Sequence, residues 1–351
     1  MRSPALRHVL THLITPLLMC LGMGLAYMGA FVHPEPNHMP VAVVGAGPEA
    51  KVLAQTIKDT AGDKLDVRTV PTRAAAVDLL RSRTVTGAYV PSARTPELIV
   101  ASAASDTGAT AVEKVFTPIA AKDGAALKVT DVAKPVADDP TGQGLFFLLI
   151  AVSIGSYASV AALGAAGAAL PMRVRALLAL GVSAVVGGIG AFLAGPVFHL
   201  AHHDLAGVWG MAWLYSAGIL LVGVGLHTFL KRWTTLTMMV LFVMLNFTSS
   251  GGLFRPELEN GFFGTLHAFW NGAGFVEGVR SLLYFGGEGL SRNVWTLAVW
   301  LLAGLAVTAV AAAHERAKAA PAAAVVVPES PAGLVEEAAE AEEEAEETVG
   351  V

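Results

Sequence analysis

The sequence predicts an α-helical integral membrane protein with about six transmembrane helices and an extracytoplasmic α/β domain inserted between the first two. Three observations lead to this fold class. Hydrophobic residues make up 54% of the 351 residues and charged residues only 15%, whereas a soluble domain carries roughly 25% charged residues. Apolar windows without charge recur along the chain, and one polar stretch, residues 33–143, separates the first window from the rest.

The apolar windows qualify or nearly qualify as spans, because a helix needs about 20 apolar residues to cross the hydrocarbon core. They are residues 13–32, 144–167, 176–200, 207–230, 234–248 and 294–313. The first window follows Arg2 and Arg7 and is longer than the apolar run of a signal peptide, so we expect an uncleaved anchor. The fifth is short for a span but rich in Leu, Met, Val and Phe.

Basic residues in the connecting loops predict the orientation. They precede the first window, join the second to the third and the fourth to the fifth, and follow the last one: Arg2, Arg7, Arg173, Arg175, Lys231, Arg232, Arg316 and Lys318. The positive-inside rule places such residues in the cytoplasm. We therefore expect a multi-pass protein of the cell membrane with both termini cytoplasmic.

This topology divides the chain into segments of different character. Residues 1–32 hold the N-terminus and first helix, and residues 33–143 form the extracytoplasmic domain. In that domain, strand patterns at 41–44, 65–70, 87–90, 97–101 and 127–132 alternate with helical patterns at 48–60, 73–83 and 109–121. Helices two to five occupy residues 144–250, and the last helix residues 294–313. Residues 314–351 are Ala-, Pro- and Glu-rich and are predicted to be a disordered acidic cytoplasmic tail.

A second extracytoplasmic segment, residues 251–293, combines frequent glycine with many aromatic residues. Aromatic side chains are enriched at the membrane–water interface. We expect short helices lying at the outer leaflet there.

The sequence excludes several classes of chemistry. It contains no P-loop motif and no basic block, so we expect neither ATP nor nucleic acid to bind, and no cofactor. The Gly45-Ala46-Gly47-Pro48 run resembles a dinucleotide fingerprint, but the proline favours a plain strand-to-helix turn. The interiors of the windows lack Asp, Glu, Lys and Arg, which argues against a proton relay within the membrane. The sequence shows no recognisable catalytic arrangement of a nucleophile, a base and an orienting acid, so an enzyme is not predicted.

Three histidines are the weak candidates for a metal site. His199, His202 and His203 lie at the outer mouth of the third and fourth helices, at a spacing that can place two imidazoles on one helix face. The alternative is an interfacial turn in which polar side chains meet water. If these residues bind a metal, the chain could be a metal-dependent membrane enzyme, and this is one functional hypothesis besides the two given at the end of this section.

Three segments of the chain resemble a known protein family, and the first of them is the strand at 39–45. The chain reads Asn-Phe-Thr-Ser-Ser-Gly-Gly at 246–252 and Gly-Ala-Gly-Phe-Val-Glu-Gly-Val-Arg-Ser-Leu-Leu-Tyr-Phe at 272–285. With the one-helix, external-domain, five-helix layout, these resemble YhgE/Pip (phage infection protein)-like members of the ABC-2 type permease superfamily. The chain departs from that pattern at Phe247 and at Trp270-Asn271, where the family usually has proline.

The resemblance implies an export role, with ATP hydrolysed by a separate subunit and the chain acting as a homodimer or heterodimer among membrane lipids. It also implies family-motif or gating residues: Asn246, Ser249, Ser250, Gly251, Gly252, Glu277, Arg280, Tyr284 and Phe285. Glu277 and Arg280 lie one helical turn apart, so a structural ion pair is the alternative to a gate. If an ATPase docks, its contact surface is expected at Pro171, Arg173 and Arg175.

Two functional hypotheses of different class follow from the sequence. The first is a permease-like subunit that exports a lipidic or peptidic molecule. The second is a non-transporting envelope receptor or scaffold, anchored by its helices, whose external domain binds a partner.

Overall fold

The computed structural model describes residues 4–122 and 124–323. Most of the stretch predicted as an acidic tail, from residue 324 onward, lies outside the described residues. Residues 314–323 are helical, because the last helix runs from Leu290 to Ala323. The beginning of the predicted tail therefore belongs to that helix.

Five stretches of the described chain are long and apolar enough to cross a membrane, and they fit a multi-pass membrane protein. They are Leu13–Phe31, Gly144–Ala166, Met172–Val197, Leu205–Thr248 and Leu290–Lys318. The corresponding helices are α1 (Pro4–Phe31), α5 (Gly144–Ala166), α6 (Met172–Phe192), α7 (Leu205–Leu230) and α12 (Leu290–Ala323). A π-helical turn, Leu193–Val197, extends α6.

The fourth stretch holds two of the predicted windows. Helix α7 ends at Leu230, and Lys231 adopts a left-handed φ of 48°. The chain then forms α8 (Thr234–Met239), a π-helical turn and α9 (Leu245–Thr248). It runs back along α7, since Asn246 bonds to Tyr215 and Met238 lies against Gly223. The prediction of about six helices is thus confirmed in part: residues 205–248 form a helical hairpin with one full-length and one short arm.

Helix α7 is the centre of the bundle and packs against α5, α6 and α12. Small residues allow the close approach. A Cβ on Gly187 of α6 would lie 3.0 Å from the backbone N of Trp213, and one on Gly225 would lie 2.9 Å from that of Thr308. Hydroxyl groups bridge the same helices, as the Ser156–Ser216 hydrogen bond of 2.7 Å illustrates. Small residues and interhelical hydrogen bonds are the usual means of helix association in membranes.

Between α1 and α5, residues 39–131 form a five-stranded sheet covered on both faces; we call this unit the sheet domain. Its elements are β1 (Met39–Val44), α2 (Pro48–Ala61), β2 (Leu65–Val70), α3 (Arg73–Arg81), β3 (Gly87–Val90), β4 (Glu97–Val100), α4 (Asp106–Lys122) and β5 (Lys128–Asp131). The strand order is β2-β1-β3-β4-β5, and only the β3–β4 pair is antiparallel. Side chains of α2 and α4 cover one face and those of α3 the other.

The glycine run after β1 forms the expected tight turn into α2. Gly45 has a φ of 151°, and a Cβ there would lie 2.6 Å from the Cβ of Ala50. Pro48 occupies the first turn of α2, where its missing N–H leaves no bond unmade. The turn is thus explained by packing of the helix against the strand.

The two ends of the bundle differ in character. Glu315 near the end of α12 accepts hydrogen bonds from Arg175 at the start of α6 and from Thr228 at the end of α7. The basic residues around Arg175, Lys231 and Arg316 therefore lie together at one end. The sheet domain lies at the other end, because Arg83 reaches the residues just before α12. The predicted topology requires the basic loops and the sheet domain to lie at opposite ends of the bundle. The assignment of the basic end to the cytoplasm stays a prediction.

Candidate functional site

Residues 251–285 connect the hairpin to α12 and hold the sheet domain against the bundle. They form a 3-10 turn (Pro256–Leu258) and the short helices α10 (Gly261–His267) and α11 (Asn271–Tyr284). Short helices were expected, but α11 is not interfacial: Phe275, Val276 and Val279 are at most 1% exposed and belong to the bundle core. Four of the eight Phe, Trp and Tyr rings of the segment are likewise buried, while Phe262 and Phe269 are exposed.

This connecting segment, residues 251–285, packs against both faces of the sheet domain. Phe254 and Leu258 pack with the core under α2 and α4, and Phe285 packs with the core under α3. The Thr107 hydroxyl donates to the Leu253 carbonyl at 3.2 Å. Apolar contacts thus fix the domain from two sides, and polar groups lie between them.

The polar groups centre on Glu277 of α11. One carboxylate oxygen of Glu277 accepts from Arg83 Nη1 at 2.8 Å, and the other accepts from Arg280. Arg83 comes from the sheet domain and also donates to Ser281 Oγ at 2.6 Å and to the Glu288 carbonyl at 2.8 Å. We call Arg83, Glu277 and Arg280 the junction cluster, since it joins the sheet domain to the bundle.

Arg83 is held in an unfavourable backbone conformation at this position. It follows α3 with a φ of 58°, a left-handed geometry that glycine normally supplies at the end of a helix. Non-glycine residues in this region cluster at functional or structurally constrained sites. The hydrogen bonds of the guanidinium offset the backbone cost here.

The predicted Ser-Ser-Gly-Gly turn forms one wall of the cluster. Arg280 Nη2 donates to the Gly251 carbonyl at 3.2 Å, and the Ser249 carbonyl lies 3.0 Å from His267 Nδ1. Gly251 has a φ of 69°, and a Cβ there would lie 2.6 Å from the His267 ring. Only glycine fits this turn without displacing the imidazole. Gly252 is bonded through its N–H to Ser250 Oγ at 3.1 Å.

The environment sets the ionisation of the cluster. Burial alone would raise the pKa of Glu277, but Arg280 and Arg83 beside it hold that pKa below its ordinary value. Glu257 behaves in the same way, because the ion pair with Arg255 outweighs burial and lowers its pKa. Burial lowers the pKa of His267. At neutral pH the junction cluster therefore holds an ionised Glu277, and the neighbouring Glu257 and His267 are an ionised carboxylate and a neutral imidazole.

Glu259 is the exception among the acidic groups. It is 5% exposed, and Oε2 has no hydrogen-bond partner among the described residues. Burial, together with the charge of Glu257, raises the pKa of Glu259 to about 9. This carboxyl is protonated in the folded protein at neutral pH.

A chain of buried polar groups continues from the turn into the bundle. Asn246 Nδ2 donates to the Tyr215 hydroxyl, which lies 2.5 Å from Ser153 Oγ. Asn271 at the start of α11 is fully buried, and neither of its side-chain polar atoms has a partner among the described residues. Asn246 lies against Gly272, the residue after Asn271, at the junction of α9 and α11.

The remaining family-motif residues lie at the edge of this site. The Arg83 guanidinium lies over the Phe285 ring, with Cζ 5.1 Å from the ring centroid. Tyr284 packs between the bundle core and the α3 side of the sheet domain. The nine residues named by resemblance thus fall into one region of the structure. Sequence reasoning missed the basic and acidic residues Arg83, Arg255, Glu257, Glu259 and His267; charges within a segment otherwise rich in aromatic residues were the available signal for four of them.

The histidines and the basic docking residues lie elsewhere. The rings of His199 and His202 stack at 6.5 Å, and His203 Nδ1 lies 3.0 Å from Asp204. Within residues 4–122 and 124–323, no three metal-ligating side chains converge. The metal hypothesis therefore gains no support from the geometry.

The expected ATPase contact residues differ among themselves in exposure. Pro171 and Arg173 are exposed at the start of α6. Arg175 is 4% exposed and pairs with Glu315 of α12. Its guanidinium ties two helices together, so only Pro171 and Arg173 offer a free surface.

Comparison of this chain with protein-family models, with curated proteins and with solved structures found no match.

Proposed function

We propose that this chain is the permease-like membrane subunit of an exporter, driven by ATP hydrolysis in a separate subunit. The observation that carries the proposal is the sharing of Glu277 by Arg83 of the sheet domain and Arg280 of the bundle. Arg280 is in turn bonded to the turn that ends the hairpin. Movement of the hairpin or of α11 is then transmitted to a domain that covers this end of the bundle.

The opposite end supplies a surface on which an ATPase docks. Arg173 and Pro171 are exposed there. The basic turn at Lys231 lies at the same end, because Arg175 and Thr228 share the carboxylate of Glu315. The Arg175–Glu315 pair links α6 to α12 directly beneath this surface. A displacement of the start of α6 by the ATPase would thereby move α12, whose other end adjoins the sheet domain.

A groove beside α5 favours a lipidic substrate over a peptide. A space of about 410 Å³ opens between the start of α5 and the end of α6. Its apolar lining includes Phe147 and Phe198, which are 60% and 59% exposed, and polar groups such as Gln143 lie at one end. An apolar groove with polar groups in its lining suits an amphiphile, whose head and tail require different surroundings.

The test is purification of the tagged full chain in a mild detergent, with mass spectrometry of the proteins that remain bound. We expect a stoichiometric ATPase that is lost from the Arg173→Glu variant. Lys58→Glu is the matched control, because Lys58 is exposed on the sheet domain at the other end. Arg175 is unsuitable for this test, since its replacement would leave Glu315 unpaired.

The alternative is an anchored envelope receptor or scaffold. The packing of residues 251–285 against both faces of the sheet domain favours this alternative, because it would also hold the domain in a fixed position to present a binding surface. Recovery of envelope proteins alone, with no ATPase in several detergents, would favour this alternative and contradict the exporter.

A further inference from the structure

A polar cavity of about 290 Å³ lies beside the junction cluster. Residues of three regions line it: Arg83 from the sheet domain, Arg255 and His267 from the connecting segment, and Arg292 and Thr296 from the start of α12. Its size is close to the lower limit for small-molecule sites, about 300 Å³.

The charges around the cavity do not balance. Arg255 and Glu257 form a bidentate pair and cancel. Glu277 carries one negative charge against two arginines of the junction cluster. Arg292 has no carboxylate within ion-pair distance among the described residues; its one hydrogen bond is a 3.5 Å contact with the Ala268 carbonyl. The charged side chains that line the cavity are three arginines, Arg83, Arg255 and Arg292, and two carboxylates, Glu257 and Glu277, which leaves a net charge of about +1 in their ordinary charge states.

Unused donors accompany this excess of positive charge. Arg292 is exposed and offers nearly its whole guanidinium. Arg255 uses Nε and Nη2 on Glu257, which leaves Nη1 without a partner among the described residues. A planar guanidinium fork matches phosphate oxygens in a bidentate geometry. Donors and charge together favour an anion with several oxygens.

The position of the cavity points to the source of that anion. Arg292 lies near the start of the last apolar stretch, Leu290–Lys318. Phe269 and Trp295 adjoin lining residues along the chain and are 51% and 69% exposed. Exposed aromatic rings at the end of a span mark the level of the lipid headgroups. An anion at this depth is within reach of a lipid phosphate.

We propose that the cavity between Arg83, Arg255 and Arg292 binds a phosphate group, with Arg292 as the residue that captures it. The same chemistry is offered by an anionic phospholipid headgroup and by free phosphate. Binding does not depend on transport, so this inference stands or falls separately from the proposed export function.

The experiment compares ligands on the purified full chain. Retention of phosphatidylglycerol and of phosphatidylcholine is measured by native mass spectrometry, and thermal stability is measured in inorganic phosphate against chloride at equal ionic strength. The variants are Arg292→Lys, Arg292→Gln and Arg292→Glu. Arg316→Glu is the control, because Arg316 is exposed on the same helix at its other end.

We expect the affinity for phosphatidylglycerol to fall at least about tenfold in R292Q, because the change removes charge-assisted hydrogen bonds to the phosphate. R292K should fall less and R292E more, with R316E unchanged. Preference for phosphatidylglycerol identifies the lipid as the source. Arg292-dependent stabilisation by inorganic phosphate, without a lipid preference, identifies a soluble anion and equally supports the site. Equal binding by wild type and R292E, or equal losses in R292E and R316E, would overturn the proposal.

Discussion

At the scale of single residues, Glu277 is the position on which most interactions of the site converge. Sequence reasoning selected Glu277, Arg280 and Gly251 because they belong to short recognisable segments. It could not select Arg83, because that residue lies 194 positions from its carboxylate partner. A contact of that range depends on how the sheet domain is placed on the bundle, which local patterns do not encode.

Replacing Glu277 by glutamine should destabilise the protein by about 3–5 kcal/mol, because Arg83 and Arg280 would lose the carboxylate that they share. Replacing Arg83 by glutamine should cost less, because Glu277 keeps Arg280 as its partner, but more than the loss of a surface ion pair. The measurement is thermal unfolding of the purified chain in detergent. Arg73→Gln is the control: it removes the pair with Glu97, in which the arginine side chain is 49% exposed, and such surface pairs contribute about 0–1 kcal/mol. Equal effects of R83Q and R73Q would show that the junction cluster does not hold the domain.

The protonated state of Glu259 predicts a decline of stability at alkaline pH. Its pKa is about 9 in the folded protein but near 4.3 in an unfolded chain, so folding binds a proton. Stability is therefore lost as pH rises between these values, by up to about 1.4 kcal/mol per pH unit. The lowered pKa of His267 has the opposite effect, but only below about pH 6.5.

Unfolding measured from pH 7 to 9 isolates the contribution of Glu259. The wild type should lose thermal stability over this range, and Glu259→Gln should remove most of the loss. Glu113→Gln, at an exposed position on α4, should behave as the wild type does. An unchanged slope in E259Q would show that the carboxyl is ionised in the folded state.

At the scale of elements, periodicity and turn residues were sufficient for the sheet domain. The predicted strands at 65–70 and 87–90 match β2 and β3, and the strand at 127–132 contains β5. The hairpin of α7 and its returning arm was less accessible, because the short arm owes its place to contacts with α7 rather than to its own length. The burial of α11 in the bundle was also missed, since an aromatic segment with glycines suits an interface as well as a core.

The turn after α9 offers a test at this scale. Gly251→Ala should destabilise the protein by at least about 1 kcal/mol, because alanine is strained at positive φ and its Cβ would displace His267. Gly181→Ala is the matched control, since no atom lies within 4 Å of a Cβ at that helical position. Alanine there should stabilise α6 slightly or leave it unchanged. Unfolding temperatures of the two variants decide the point, and equal values would contradict the assigned role of the turn.

At the scale of the whole molecule, the chain is a helical bundle with a basic end and a domain-bearing end. Composition and hydropathy were sufficient to predict a membrane protein, and the basic loops predicted which segments share an end. The Arg175–Glu315 pair and the position of Arg83 place those segments as the topology requires. The side of the membrane on which each end lies is a property of insertion, which contacts within the chain do not fix.

The sidedness of the sheet domain tests the account most directly, because an exporter with an extracytoplasmic domain requires it. The chain has a single cysteine, Cys20, so Cys20→Ser gives a background free of thiols. Lys58→Cys and Arg173→Cys then report on the two ends when intact cells are treated with a membrane-impermeant maleimide. The account predicts labelling of K58C in intact cells and of R173C only after permeabilisation. Labelling of R173C in intact cells, with K58C protected, would contradict it.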